Sequence, residues 1–197
     1  MKCLVVVAHP LRESLSSALA ASAAEALRQA GREVWLEDLY RDGFAAALSA
    51  AERESYYGRP YDASAVQPNI DRLLAAEGLV VCFPTWWFGF PAILKGWFDR
   101  VWAPGVAYDH ADDLGPIRPR LRNLRHTLAV TSLSAPRRVD WLVLRRPAPR
   151  VLKWAILGAC APACKFEMLT IYKAERLRQD QVDRLSARMK AKLAGWR

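Results

Sequence analysis

The chain has 197 residues, an apolar fraction of 52% and a net charge of +9. This length predicts a single domain, residues 1–197, with a full hydrophobic core. The uncharged run 79–94 is too short for a membrane-spanning helix and the first ten residues resemble a strand, which favours a cytoplasmic protein over a secreted or integral membrane one.

Hydrophobic periodicity predicts strands that alternate with helices. Lys2–Ala8 is a continuous β-branched run typical of a strand buried on both faces, and Leu15–Ala30 repeats apolar residues at helical spacing, with Ser14 or Ser16 as its cap. Further strands are predicted at Glu33–Leu39, Leu79–Phe83, Thr127–Leu133 and Lys165–Tyr172, and further helices at Asn69–Ala76, from Pro91 onward, at Val139–Ala159 and at Ala174–Leu193.

Two of these segments carry finer predictions. Pro147 and Pro149 are expected to break the Val139–Ala159 helix, and the last helix is expected to bury one face. That face consists of Leu177, Leu185, Met189 and Leu193. The connection 40–67 has no clear period, which is typical of a functional or mobile loop.

The four cysteines indicate buried thiols, not a disulfide framework. Cys3 and Cys82 lie in predicted strands, where a free cysteine packs as a small hydrophobe. Cys160 and Cys164 are four residues apart and are expected to share a helix face. The three histidines show no metal-type spacing to them, so no metal site is predicted.

Alternating strands and helices predict an α/β protein with a parallel sheet covered on both faces. Five strands in this order fit a flavodoxin-like three-layer sandwich with strand order 2-1-3-4-5. The loops His9–Ser17 and Pro84–Gly89 then face each other across a crevice at the switch point, where ligands of such sheets bind.

The first of these loops, HPLRESLSS, leads from a strand into a helix. A helix N-terminus presents unpaired N–H groups that bind anions, and His9, Ser14, Ser16 and Ser17 add side-chain donors. This set suits a phosphate or pyrophosphate, although for the loop taken alone a helix cap with ordinary loop serines is the better explanation, because serine is common at caps.

The second loop places Trp86, Trp87 and Phe88 in a turn, where polar residues or glycine are usual. Core packing is the plain explanation of such aromatics. Their position beside a phosphate-type loop instead favours an apolar wall for a ligand.

Together HPLRESLSSAL and FPTWWFGFPAILKGWFDRVW resemble the NAD(P)H:quinone oxidoreductase family, from Met1 to about Tyr108. The resemblance implies a bound flavin, FAD or FMN with FAD favoured, and NAD(P)H as the hydride donor. It further implies ping-pong reduction of quinones or similar two-electron acceptors, and a homodimer.

The family's flavin contacts carry over onto matching positions. The resemblance implies that the flavin phosphate is held by His9, Ser14, Leu15, Ser16 and Ser17, and that the ring is lined by Pro84, Thr85, Trp86, Trp87, Phe88 and Gly89. Thr131 and Ser132 correspond to part of a further flavin-contacting loop. The Gly-Gly, Tyr and His that follow in the mammalian enzymes are missing from TSLSAPRRVDW, so no catalytic acid or base is assigned.

The net charge is concentrated in Arg118–Lys153, which holds ten basic residues and one acidic residue. A solvated face and an acidic partner both explain this segment. Arg137 and Arg138 are hypothesised to bind the phosphates of NADPH or FAD. The Trp141–Leu144 and Trp154–Leu157 clusters suggest a homodimer interface, or contact with a membrane surface at its inner face or with a transporter.

An alternative function follows from the same features: a flavin-binding regulatory subunit of a membrane transporter or other partner, with little turnover. A nucleic-acid-binding function is disfavoured, because no recognition motif or base-stacking platform accompanies the basic segment.

Overall fold

A computed structural model describes residues 1–57, 60–110 and 115–197. Its strands are β1 (Lys2–Val7), β2 (Glu33–Asp38), β3 (Gly78–Pro84), β4 (Tyr108–Asp109), β5 (Arg118–Pro119), β6 (His126–Leu133) and β7 (Lys165–Tyr172). Its α-helices are α1 (Leu15–Gln29), α2 (Ala50–Ser55), α3 (Gln67–Ala75), α4 (Ala92–Val101), α5 (Pro147–Arg150), α6 (Gly158–Cys160) and α7 (Gln179–Ala194).

Five strands form one parallel sheet in the order β2-β1-β3-β6-β7, while β4 and β5 form a separate antiparallel pair. The sheet order is the predicted 2-1-3-4-5, so the flavodoxin-like α/β fold is confirmed. β1 pairs with β3 from Cys3 opposite Gly78 to Val7 opposite Cys82. The two strands therefore end side by side, and the loops that follow them leave from the same edge.

Helices cover both faces of the sheet and enclose two cores. On one face, α1 and α7 pack against β1, β3, β6 and β7, with Leu27 and Met189 fully buried. On the other face lie α3, α4 and the helical turns 152–161, and Trp97 of α4 is fully buried among them. The near-continuous apolar runs of β1 and β3 follow from this cover on both faces.

Glu37 of the edge strand β2 is fully buried, which its alternating sequence did not indicate. Arg72 donates to its carboxylate at 3.1 Å, and the indole Nε1 of Trp97 donates at 3.2 Å. A buried charge is tolerated only where it is paired and hydrogen-bonded, so these contacts fasten α3 and α4 to the sheet edge.

The connection after β2 is also tied to α4, and the prediction of an irregular 40–67 segment is partly wrong. It contains α2, which begins with a reciprocal cap between Ser49 and Glu52. Glu52 forms a buried ion pair with Arg100 at 2.7 Å. At Gly96 a Cβ atom would lie 2.0 Å from the carbonyl oxygen of Ala46, so only glycine allows this close approach.

The predicted Val139–Ala159 helix is a series of short pieces, and it breaks directly before Pro147, as expected. π-helical turns at Val139–Val143 and Val151–Leu157 flank α5. The break lies at Arg145 and Arg146, both with φ of +54°. Pro147 begins α5, because proline is tolerated in a first helical turn.

Two other local predictions are wrong. The last helix begins at Gln179 after a 3₁₀ turn at Ala174–Arg176, so Leu177 precedes the helix instead of lying on its face. Cys160 ends α6 and Cys164 precedes β7, so they share no helix face. Among the described residues, no helix is long and apolar enough to cross a bilayer.

Candidate active site

The loop after β1 is held by its own polar side chains. The Leu11 N–H donates to Nδ1 of His9 at 3.1 Å. Ser14, the N-cap of α1, accepts from the Ser17 N–H at 3.1 Å, and the two hydroxyl oxygens lie 2.8 Å apart. Ser14 is therefore the cap, and Ser16 lies buried within the first turn.

The start of α1 therefore presents donors at the switch point of the sheet. The first N–H groups of a helix have no intrahelical partner, and no acidic residue occupies this first turn. The serine hydroxyls stand beside these amides. This arrangement suits a phosphate group, because the helix dipole and the orphan amides both favour negative charge.

The aromatic turn is a tight hairpin from Trp86 to Gly89. The Trp86 N–H donates to the Gly89 carbonyl at 3.3 Å, and the Gly89 N–H donates to the Trp86 carbonyl at 2.9 Å. The two central residues have left-handed backbones, Trp87 with φ of +49° and Phe88 with φ of +59°. Asn-Gly is the usual sequence for such a turn, so two bulky aromatics carry strain of about 1–2 kcal/mol per residue.

The hairpin is anchored on both sides. Before it, the Thr85 N–H donates to the Ser132 carbonyl at 2.8 Å, and the Thr85 and Thr131 hydroxyl oxygens lie 2.7 Å apart. After it, the ring of Phe90 packs 5.5 Å from that of Phe83. The strain persists because these contacts over-determine the turn, which is typical of a functional site.

The two loops meet across the predicted crevice. The rings of His9 and Trp86 are 6.4 Å apart and tilted by 58°. Trp87 is 98% exposed and Trp86 43% exposed, so core packing does not explain them. An apolar wall beside a donor-rich helix start fits a flavin, whose ring is apolar and whose tail carries phosphate.

The structure thus brings the sequence-predicted positions to one edge of the sheet. Pro84 and Thr131 are buried at the strand ends, Thr85 and Ser132 link β3 to β6, and Leu15 is half-buried in the first turn of α1. Their assignment as flavin ligands stays a prediction.

A cavity of about 600 Å³ lies away from this crevice, between α3 and the residues that follow α4. Its lining includes Tyr56, Tyr57, Tyr61 and His110. Burial raises the pKa of Tyr61 and of Tyr108, whose hydroxyl donates to that of Tyr56 at 3.4 Å. The sequence analysis missed this cluster, and the density of tyrosine in 56–61 was the available signal.

Several apolar side chains between residues 142 and 154, at the end of the basic segment, are exposed. Leu142 is 78% exposed, Val143 70% and Trp154 68%. Leu144 and Val151 are also exposed, and these five side chains are called the apolar patch below. Arg145, Arg150 and Lys153 are exposed nearby in sequence.

Comparison with known proteins identifies the family. A family model described as "Flavodoxin-like fold" matches residues 1–195. The chain belongs to this family. Similar proteins include NAD(P)H dehydrogenases [quinone] and an NAD(P)H:quinone oxidoreductase, which confirms the resemblance inferred from the two motifs.

Two relatives illustrate the match. Rat "NAD(P)H dehydrogenase [quinone] 1" is 34% identical over 152 residues, which cover 66% of this chain and 53% of that protein. The structure of "NAD(P)H:quinone oxidoreductase from Methanothermobacter marburgensis" superimposes with a TM-score of 0.81 and 25% identity, covering 98% of this chain and 96% of that one. The chain spans about half to two thirds of the length of the curated relatives it matches first.

A more distant structure shares the fold. The FMN-dependent NADH-azoreductase of Bacillus anthracis, solved in complex with FMN, has a TM-score of 0.74 at 15% identity and covers 98% of this chain and 97% of that one. At this level of identity the two proteins share a fold, and the FMN of the azoreductase is not thereby assigned to the present chain.

Proposed function

We propose that this chain is a flavin-dependent NAD(P)H oxidoreductase that reduces quinones or similar two-electron acceptors. The observation that carries the proposal is the strained hairpin Trp86–Gly89, whose exposed Trp86 ring lies 6.4 Å from that of His9, in the loop that leads to the donor-rich start of α1. The comparisons support it, because the relatives are named as NAD(P)H dehydrogenases and oxidoreductases.

Each part of the crevice has a role in this proposal. The amides and hydroxyls of Ser14, Ser16 and Ser17 hold the phosphate of FAD or FMN, and Trp86, Trp87 and Phe88 cover one side of the ring. Bound flavin supplies the redox chemistry, while the protein orients the ring and the nicotinamide. NAD(P)H and the quinone bind in turn to the same face of the flavin ring, which gives ping-pong kinetics.

The test is the state of the purified protein. We expect bound flavin, visible as yellow colour, and bleaching by NADPH or NADH in the absence of oxygen. Release and chromatography of the flavin identify it as FAD or FMN. Parallel lines in initial-rate plots against quinone support ping-pong turnover. Protein that stays colourless after incubation with both flavins contradicts the proposal.

We further propose that the apolar patch is covered by a second copy of the chain. Large apolar side chains that are exposed to solvent favour protein–protein association. Tryptophan and arginine, both present here, are enriched in the cores of such interfaces. Light scattering after gel filtration is expected to give twice the chain mass, and Leu142→Asp is expected to halve it. Binding of the wild type to vesicles with anionic lipid, in place of dimerisation, would instead assign the patch to a membrane.

The regulatory-subunit alternative is favoured by the weak family match after Thr131, where the Gly-Gly, Tyr and His are missing, and by the basic segment. It predicts protein that binds flavin and is bleached by NADPH but reduces no quinone at a useful rate.

A further inference from the structure

Two arginines stack on one indole ring beyond the carboxyl end of β6. The guanidinium carbons of Arg137 and Arg146 lie 4.6 Å and 4.5 Å from the ring centre of Trp141. Such cation–π contacts hold a guanidinium plane in place while its N–H groups stay free to donate. We call these three residues the Arg–Trp–Arg stack.

A hydrogen-bond relay fixes the ring. Nε1 of Trp141 donates to the hydroxyl of Tyr172 at 2.9 Å, and that hydroxyl donates to the buried carboxylate of Asp140 at 2.7 Å. Burial, together with the hydrogen bond to Asp140, raises the pKa of Tyr172, so its hydroxyl stays protonated at neutral pH and can donate to Asp140. The Arg–Trp–Arg stack is therefore preorganised in the ligand-free protein.

The stack lines a cavity of about 340 Å³ that also includes Tyr172 and Arg188. Within the ranges that the structure describes, no carboxylate lies within 4.0 Å of the guanidinium nitrogens of Arg137, Arg146 or Arg188. Nε of Arg146 is buried and has no hydrogen-bond partner there. A buried donor without an acceptor is costly, so the site is poised for an anion.

The stack lies near the carboxyl edge of the sheet, where the crevice also lies, and its cavity extends along the edge strand β7 as far as Met168 and to Arg188 of α7. Tyr172 pairs with Leu133 at the carboxyl end of the sheet, and β6 separates β7 from the aromatic turn after β3. Neighbouring strands are about 4.8 Å apart, so the backbone of β7, whose Tyr172 accepts from Trp141, lies about 10 Å from that of β3. A dinucleotide is long enough to reach from one to the other.

We propose that the Arg–Trp–Arg stack is a phosphate-binding subsite that takes the ribose 2′-phosphate of NADPH and makes the chain prefer NADPH to NADH. The choice of dinucleotide rests on the proposed function. The sequence suggested Arg137 and Arg138 as the phosphate-binding pair. In the structure the partner of Arg137 is Arg146, which the left-handed turn at 145–146 brings next to Trp141.

Calorimetric titration of the purified, flavin-loaded protein tests the subsite without turnover. We expect 2′,5′-ADP to bind at least about 10-fold more tightly than 5′-AMP, because only the former carries the 2′-phosphate. In Arg137→Ala and in Arg146→Gln this difference is expected to disappear. The KM for NADPH should rise about 10- to 100-fold in both variants, while the KM for NADH stays unchanged.

Arg122→Ala is the matched control, since it removes an exposed charge of the same basic segment that lies outside the cavity. It should leave both KM values and the 2′,5′-ADP affinity at wild-type levels. Should Arg146→Gln fail to fold, the exposed Arg137 still tests the site. Equal binding of 2′,5′-ADP and 5′-AMP to the wild type overturns the proposal.

Competition with inorganic phosphate separates the two sources of the ligand. If phosphate displaces 2′,5′-ADP at equal concentration, the subsite holds free phosphate and the NADPH assignment is wrong. If instead neither NADPH nor NADH bleaches the flavin, the proposed function fails, while the 2′,5′-ADP titration still reports on the subsite.

Discussion

Trp87 allows the strain in the aromatic hairpin to be separated from the contact that it provides. Its side chain is 98% exposed, so removal of the ring forfeits almost no buried area in the free protein. Its φ of +49° costs a non-glycine residue about 1–2 kcal/mol. Trp87→Gly relieves that cost, and part of the gain is offset by the greater freedom of glycine in the unfolded chain, about 0.5–1 kcal/mol.

Trp87→Ala is the matched variant, because it loses the same ring but keeps the strained backbone. We expect the flavin-free Gly variant to have a free energy of unfolding about 0.5–1 kcal/mol higher than that of the Ala variant. Both variants should bind flavin several-fold more weakly than the wild type, since each has lost an aromatic contact.

Urea unfolding of the three flavin-free proteins, followed by circular dichroism, measures the first effect, and flavin fluorescence titration measures the second. An Ala variant as stable as the Gly variant would refute the argument from backbone strain. Wild-type flavin affinity in both variants would show that Trp87 does not contact the ring.

Three further predictions concern the surroundings of the site. Hydrogen bonds from Arg100 and Ser49 outweigh burial and lower the pKa of Glu52 below its usual 4.5. Its ion pair therefore contributes its full stabilisation above about pH 4.5 and loses it as the pH falls through the lower pKa of the folded state. The urea midpoint of Glu52→Gln should fall less than that of the wild type between pH 5 and pH 3. Gly96→Ala should lower the free energy of unfolding by about 1–3 kcal/mol, because its new methyl group clashes with the backbone of Ala46. Gly158→Ala is the control: it lies in a helical turn, the nearest atom to a Cβ there is 3.4 Å away, and its free energy of unfolding should be unchanged or slightly higher. Urea unfolding measures both. Burial raises the pKa of Cys82 to about 12. Under native conditions iodoacetamide should therefore alkylate the half-buried Cys164 much faster than the buried Cys82. Equal alkylation rates at the two cysteines would contradict the burial of Cys82.

Local patterns predicted the strands and the two loops of the crevice well. β7 has the predicted bounds, and β1 and β3 agree to within a residue at either end. Buried parallel strands are recognisable because both of their faces must be apolar. The helix predicted at Val139–Ala159 breaks at Arg145–Arg146, directly before Pro147, because a proline disfavours the helical conformation of the residue that precedes it.

The amino-acid sequence by itself determined the fold class, the order of the strands and the edge at which the two loops meet, because hydrophobic periodicity and the handedness of crossovers leave few alternatives. Only the tertiary structure decided which polar groups become partners. Two of these pairs join residues far apart in sequence, Glu37 with Trp97 and Glu52 with Arg100. A third pair, Arg146 with Trp141, is brought together by an irregular turn. Such pairings depend on how elements pack in three dimensions, and no local periodicity records them.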